Sequence, residues 1–144
     1  MSVLVDTSAI YTYFDGDDER HEEVRATWYA LLDEQTPLVT TNYVLTETIS
    51  LLQRRFGFSP VEELLNLMLP ELEVVWISPE LHQRALDAVL AQRRRHVSFV
   101  DCTCFEAMRD QGIEHVFALD AHFAEAGFEV LPGALPADEP DASG

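Results

Sequence analysis

The chain has 144 residues, of which 47% are hydrophobic, so we expect one domain with a buried core. Its 26 acidic residues outnumber its 9 basic residues, all of them Arg, and the resulting net charge of -17 disfavours nonspecific binding of nucleic acid. The sequence has no apolar run that could span a bilayer and no signal-type N-terminal stretch, so we expect a cytoplasmic protein without membrane contact.

Short apolar segments alternate with helical patterns along the chain. The strand-like segments are 2–5, 37–41, 72–77, 115–120 and 128–132. The spacing of apolar and capping residues predicts the intervening helices, which are 7–14, one beginning in the acidic segment 15–23, 42–57, 60–69, 79–95 and 98–112. This alternation predicts an α/β domain over residues 1–132 with a central parallel sheet of four to five strands, covered on both faces. Residues 133–144 are acidic and Pro-rich, and we expect them to form a mobile tail.

Two aspartates stand at the ends of predicted strands. Asp6 follows the first strand, and Asp120 ends the fourth. In a parallel sheet the carboxyl ends of all strands lie at one edge, where ligands bind. Taken singly, either residue is better explained as a helix cap.

Glu47 lies within the helix predicted for 42–57. It is four residues from both Tyr43 and Leu51, so it lies on or beside the apolar stripe of that helix. A carboxylate that points inward is costly without a partner. The alternative is that the side chain reaches solvent at the edge of the stripe.

Asp101 lies in the first turn of the helix predicted for 98–112. It completes a capping box with Ser98, which is a sufficient structural role. It also shares a face with Phe105 and Met108, two residues expected to point inward. We therefore expect Asp101 to point into a cleft from the helix N-terminus.

Four converging carboxylates would repel one another by about 4 kcal/mol per pair at 4 Å. A divalent cation resolves this repulsion, and oxygen-only ligands suit Mg²⁺ or Mn²⁺. The absence of Lys argues against phosphatases of the haloacid-dehalogenase type and response-regulator receivers, because both use a Lys beside their carboxylates. The cysteines and histidines indicate no other kind of site. Cys102 and Cys104 are too close for an ordinary disulfide, and the histidines lack metal-ligand spacing.

The sequence resembles a known family in three segments. These are "VLVDTSAIYTYF" at 3–14, Thr46-Glu47 within a helix, and "SFVDCTCFEAMRDQGIEHVFALDAHF" at 98–123. Together they resemble the PIN domain and, within it, the VapC-type toxin ribonucleases. The resemblance runs over about residues 2–131.

The resemblance implies a three-layer α/β/α fold and an endoribonuclease that depends on Mg²⁺, with Mn²⁺ as an alternative. It implies that Asp6, Glu47 and Asp101 are the central metal ligands, with Asp120 as the fourth acid. Ser8 corresponds to a small hydroxyl residue that orients the site, and Thr7 and Ser8 together satisfy the helix start. The implied partners are an RNA substrate, a small antitoxin protein and a second copy of the chain in a homodimer.

RNA would have to approach a very acidic chain, and the sequence leaves open whether three consecutive arginines help it to do so. Arg93, Arg94 and Arg95 precede Asp101 closely and could steer phosphates to the cleft. Equally, they could be a solvated helix end that the helix dipole favours. Two alternatives to a toxin also remain, namely a PIN nuclease outside toxin–antitoxin biology and an inactive PIN module that binds RNA or protein.

Overall fold

A five-stranded parallel sheet lies at the centre of the structure, a computed structural model that describes residues 1–133. The strands, in the spatial order β3-β2-β1-β4-β5, are β1 (Val3–Val5), β2 (Leu38–Thr41), β3 (Leu72–Val75), β4 (His115–Phe117) and β5 (Glu129–Leu131). Each neighbouring pair is parallel. The parallel sheet predicted from the sequence is therefore confirmed.

Helices cover both faces of this sheet. They are α1 (Thr7–Phe14), α2 (His21–Asp33), α3 (Asn42–Phe56), α4 (Phe58–Glu63), α5 (Pro79–Gln92), α6 (Phe99–Gln111) and α7 (His122–Glu125). The central strand β1 shows how the layers form, because Val3 and Val5 pack into one core cluster while Leu4 packs into the other. Alternate side chains of a strand point to opposite faces, so each cluster fills one side of the sheet. The three-layer α/β/α architecture is confirmed.

Helix ends follow the capping pattern in most places. Gly57 and Gly112 end α3 and α6 with positive φ angles of 86° and 68°, a conformation that glycine adopts without strain. The helix predicted for 60–69 begins two residues earlier, at Phe58, so Ser59 lies inside α4 rather than capping it. Pro60 then lies in the first turn of α4, where a missing N–H costs nothing. The chain continues from α4 through a π-helical turn (Leu64–Met68) and a 3₁₀ turn (Leu69–Glu71) to β3.

Strand β4 is shorter than predicted. It ends at Phe117, and its last sheet bond is the one that Ala118 N donates to Leu131 O. Asp120 consequently lies in a turn three residues beyond the strand rather than at its end.

Three further predictions concern membrane-spanning helices, the two cysteines and the C-terminal tail. No helix within residues 1–133 is long and apolar enough to cross a membrane. Cys102 and Cys104 are free and buried, as expected from their spacing. The tail expected at 133–144 lies outside the described residues, apart from Gly133.

Candidate metal centre

Asp6 caps α1 and lies in the cleft at the carboxyl edge of the sheet. It is only 4% exposed, and its Oδ2 accepts hydrogen bonds from Ser8 N at 3.1 Å and Ser8 Oγ at 2.7 Å. Its backbone N donates to Phe117 O at 3.0 Å, which fixes it against the end of β4. The Asp6 carboxylate itself therefore caps α1 through Oδ2, so the prediction that Thr7 and Ser8 satisfy the helix start is wrong. Its Oδ1 stays available for another partner.

Ser8 connects the two strand ends that carry aspartates. Its Oγ donates to Asp6 Oδ2 and accepts from Leu119 N at 3.0 Å. Because Leu119 immediately precedes Asp120, this hydroxyl fixes the position of both carboxylates. The orienting role implied for Ser8 is consistent with these contacts.

Asp101 reaches the same cleft from the N-terminus of α6. Its Oδ2 accepts from Ser98 N at 3.0 Å, which completes the predicted capping box, and it lies 2.9 Å from His122 Nδ1. Asp120 Oδ1 accepts from His122 N at 3.1 Å and lies 3.7 Å from His122 Nδ1. Single ligand atoms of Asp101, Asp120 and His122 lie within 4.8 Å of one another, a spacing that suits one metal ion.

Glu47 is exposed, so the inward orientation expected for it is wrong. The buried residues of α3 are Val44, Thr48 and Leu52, which places Glu47 at the edge of the buried face. Thr48 holds the helix against α1, because its Oγ1 donates to Thr7 Oγ1 at 2.9 Å. Thr7 in turn donates to Val44 O at 3.4 Å, so Thr7 fixes the helix that carries Glu47.

All four carboxylates lie close enough to act on one buried thiol. The pKa of Cys104 is raised well above its usual value, first by burial and then by the negative charges of four residues, Asp6, Asp101, Glu47 and Asp120. The negative charges of all four predicted acids therefore act on this part of α6, with Glu47 on the solvent side, while the close cluster described above contains Asp101 and Asp120 with His122.

The cluster lacks compensating positive charge. Burial raises the pKa of Asp6 to about 7, and the carboxylates of Asp120 and Asp101 add to this, while the Ser8 bonds oppose it. The pKa of Asp120 is also raised, by burial and then by Asp101. Within residues 1–133 the ion pairs of these acids involve only His122. A buried carboxylate group of this kind fits a divalent cation, which would replace the missing charge.

The three arginines at 93–95 are exposed, and they differ in their contacts. Arg93 ends α5 in a left-handed conformation with a φ of 51°. Arg94 pairs with Glu125 at 2.7 Å and lines a cavity of about 160 Å³ that His122 also lines. Of the three, Arg94 is therefore the one that shares a cavity with a residue of the acidic cluster.

His122 is the site residue that the sequence pattern did not identify. It follows Asp120 by two residues, a spacing that alone indicates nothing about metal binding. Its position depends on the turn between β4 and α7, which brings its ring to Asp101. It also lies 5.6 Å from the ring of His96, measured between centroids.

The fold and this site together define an α/β/α protein with a carboxylate-lined cleft of the kind that holds a divalent cation. The chain belongs to the PIN domain family, whose model matches residues 3–129. It is 34% identical over 133 residues to the 23S rRNA-specific endonuclease VapC20 of Mycobacterium tuberculosis, an alignment that covers 90% of this chain and 98% of the relative. The resemblance to VapC-type toxins noted from the sequence is confirmed.

Solved structures agree with this assignment. The crystal structure of M. tuberculosis VapC20, described as a sarcin–ricin loop cleaving toxin, matches with a TM-score of 0.77 at 31% identity and covers 88% of this chain and 95% of that one. FitAcB from Neisseria gonorrhoeae matches with a TM-score of 0.66 at 15% identity, with coverage of 90% and 96%. PAE2754 from Pyrobaculum aerophilum matches with a TM-score of 0.64 at 14% identity, with coverage of 90% and 89%. The last two comparisons concern the fold alone.

Proposed function

We propose that this protein is a toxin endoribonuclease that hydrolyses RNA phosphodiester bonds with a divalent metal. The observation that carries the proposal is the group of Asp6, Asp101 and Asp120 at one edge of the sheet, with raised carboxyl pKa values for Asp6 and Asp120. The similarity to the endonuclease VapC20 supports the same reaction.

Asp6, Asp101 and Asp120 are the residues proposed to hold the metal, and Glu47 completes the set from the solvent side of the cleft. A bound divalent ion would activate a water molecule and neutralise charge on the phosphate that is cut. The chain itself contributes mainly positioning and electrostatics. Oxygen ligands favour Mg²⁺ or Mn²⁺, and an imidazole beside them makes Mn²⁺ the better fit if His122 also binds.

The neighbouring residues hold the acids in place. Ser8 orients Asp6 through the 2.7 Å hydrogen bond and fixes the chain before Asp120. His122, with Nδ1 2.9 Å from Asp101 Oδ2, orients that carboxylate when it carries the Nδ1 proton. Hydrogen bonds of this kind to metal ligands typically change affinity or activity by about 10–100-fold.

RNA must approach a chain whose net charge is -17. We propose that Arg93, Arg94 and Arg95 contact its phosphates, since these three consecutive positive charges lie beside the cleft and Arg94 lines a cavity with His122. Electrostatic contacts of this kind supply affinity without reading sequence.

The biological setting is inferred from the relative. VapC20 is a 23S rRNA-specific endonuclease, so a sarcin–ricin loop RNA is the first substrate to test. As a VapC-type protein, this chain is proposed to act in the cytoplasm as a homodimer and to be held inactive by a small antitoxin. The domain is proposed to end near residue 132, with the acidic segment 133–144 outside it.

The experiment is a cleavage assay with the purified full-length protein, on total RNA and on a sarcin–ricin loop oligonucleotide. Parallel reactions contain Mg²⁺, Mn²⁺ or EDTA, and the ends of the products are mapped. We expect discrete cleavage with either metal and none in EDTA. Equal cleavage in EDTA, or no cleavage with either metal, would contradict the proposal.

A further inference from the structure

A cavity of about 380 Å³ opens beside the acidic cleft. It is lined by residues of α3 and by one residue of α6, namely Asn42, Tyr43, Thr46, Glu47, Ser50 and Val100. Glu47 belongs to the proposed metal site, and Val100 immediately precedes Asp101. The cavity therefore lies beside the proposed metal site and shares Glu47 with it.

The ring of Tyr43 lines this cavity and packs against two further rings that do not line it. Tyr43 contacts His82 and Phe99, with ring centroids 5.8 Å and 5.9 Å away, and His82 and Phe99 meet edge to face at 5.0 Å. Tyr43 Oη also forms a hydrogen bond of 2.5 Å with His82 Nδ1, which fixes the tyrosine ring. The result is a half-buried tyrosine ring, held in place, in a cavity whose other lining residues are polar except for Val100.

Polar groups of the same helix, α3, also line the cavity and can read the edge of a planar ligand. The Asn42 side chain uses its Oδ1 to accept from Ile77 N at 2.8 Å, so its amide NH₂ remains a donor for a ligand. Thr46 and Ser50 are exposed hydroxyl residues one helical turn apart. A flat aromatic face with amide and hydroxyl groups around it is the chemistry that binds an unpaired base of RNA.

We propose that this cavity binds one unpaired nucleobase of the RNA, next to the phosphate that is cut, with the base stacked on Tyr43. The inference rests on the proposed function and names the part of the substrate that the site takes. Base–aromatic stacking tolerates different bases, so Tyr43 supplies affinity and position. Asn42, Thr46 and Ser50 then supply preference among the bases through hydrogen bonds.

Fluorescence of a pentaribonucleotide with 2-aminopurine at its centre tests the proposal, since stacking quenches this base. Binding is measured with Ca²⁺ in place of Mg²⁺ or Mn²⁺, and a gel verifies that the RNA stays intact. We expect Tyr43→Ala to weaken binding about tenfold or more and Tyr43→Phe, which keeps the ring, to stay near wild type. Tyr29→Ala, an exposed tyrosine on α2, is the matched control and should have no effect.

A second pentaribonucleotide, abasic at its centre, separates stacking from a general effect on the fold. We expect it to bind wild type and Tyr43→Ala equally. If Tyr43→Ala weakens both RNAs alike, or neither, the base-binding proposal is overturned. It is also overturned if Tyr43→Ala changes the oligomeric state in sedimentation, because the cavity would then belong to a contact between copies. If quenching depends on Tyr43 but the wild-type protein cuts no RNA, the base-binding proposal is supported and the proposed function is contradicted.

Discussion

The hydroxyl of Ser8 donates a 2.7 Å hydrogen bond to the carboxylate of Asp6, and this bond links the capping of α1 to the chemistry of the cleft. The same hydroxyl accepts from Leu119 N at 3.0 Å, so it couples the end of β1 to the turn that carries Asp120. A residue that looks like an ordinary helix start thus positions two of the four acids.

Ser8→Ala should weaken metal binding in a pH-dependent way. The Ser8 hydroxyl bond lowers the pKa of Asp6, so its loss raises that pKa above about 7, while the bond from the backbone N of residue 8 remains. Because the ligand must be deprotonated to bind metal, the Mn²⁺ affinity of Ser8→Ala should fall about tenfold or more near pH 7 and recover partly at pH 8.5. Calorimetric titration of Mn²⁺ at both pH values measures this. A loss of affinity that is the same at both pH values would mean that Ser8 acts only by holding geometry.

Asp6→Asn should stabilise the metal-free protein at alkaline pH. The pKa of Asp6 rises from 3.8 to about 7 on folding, mainly because the group is buried. The folded protein therefore holds this proton more tightly than the unfolded chain, and the stability present below pH 4 is lost as the pH rises toward 7. We expect Asp6→Asn to gain on the order of 2 kcal/mol over wild type at pH 8 and much less at pH 4.

Denaturant unfolding in EDTA at pH 4, 6 and 8 measures this difference. Addition of Mn²⁺ should reverse the order at pH 8, since the wild type gains binding energy that the variant lacks. If Asp6→Asn raises the free energy of unfolding by the same amount at all three pH values, the gain does not come from removing a buried charge, and the account of Asp6 is contradicted.

Thr48→Val should destabilise the protein and loosen α3. The side chain of Thr48 is fully buried, and its hydrogen bond to Thr7 joins α3 to α1. Valine keeps the shape but leaves one buried hydroxyl with fewer partners, a change that costs about 1–3 kcal/mol. Thr27→Val, which removes a bond to a carbonyl within α2, is the control and should cost less. Chemical denaturation of both variants compares them, and equal costs would argue against a special role for the Thr7–Thr48 contact.

Replacement of Arg93, Arg94 and Arg95 by Gln should weaken RNA binding and flatten its dependence on salt. Three lost phosphate contacts would reduce the slope of log K against log salt by about 2 for single-stranded RNA. Arg54→Gln, an exposed arginine near the end of α3, is the control and should leave the slope unchanged. Filter binding at several salt concentrations gives the slopes. An unchanged slope in the triple variant would favour the reading of these arginines as a solvated helix end.

The residues that the sequence identified well are those whose positions follow from local rules. Asp6 directly follows a buried strand of a parallel sheet, and Asp101 is fixed by a capping box within its own helix, so neither depends on distant packing. Glu47 is different. Its orientation depends on how α3 rotates against α1, and the buried Thr7–Thr48 contact sets that rotation so that Thr48, rather than its neighbour, faces inward.

The residues around Asp120 could not be placed from the sequence for another reason. Strand β4 ends at Phe117, where its pairing with Leu131 of β5 ends, and nothing within 115–120 indicates this. His122 contacts Asp101, which is 21 residues away in the sequence, only because the turn between β4 and α7 brings its ring there. Non-local contacts of this kind decide the site's geometry, and residue patterns alone do not contain them.

The rate of RNA cleavage by wild type and by Asp6→Asn, measured under single-turnover conditions in Mn²⁺ and in EDTA, tests the central claim most directly. We predict that wild type cleaves only with metal and that Asp6→Asn, although folded, is slower by at least about a hundredfold, since a change to the ligand costs no less than a change to its hydrogen-bond partner. Cleavage by Asp6→Asn at the wild-type rate, or metal-independent cleavage by wild type, would contradict the assignment of this carboxylate cluster as the metal centre of a ribonuclease.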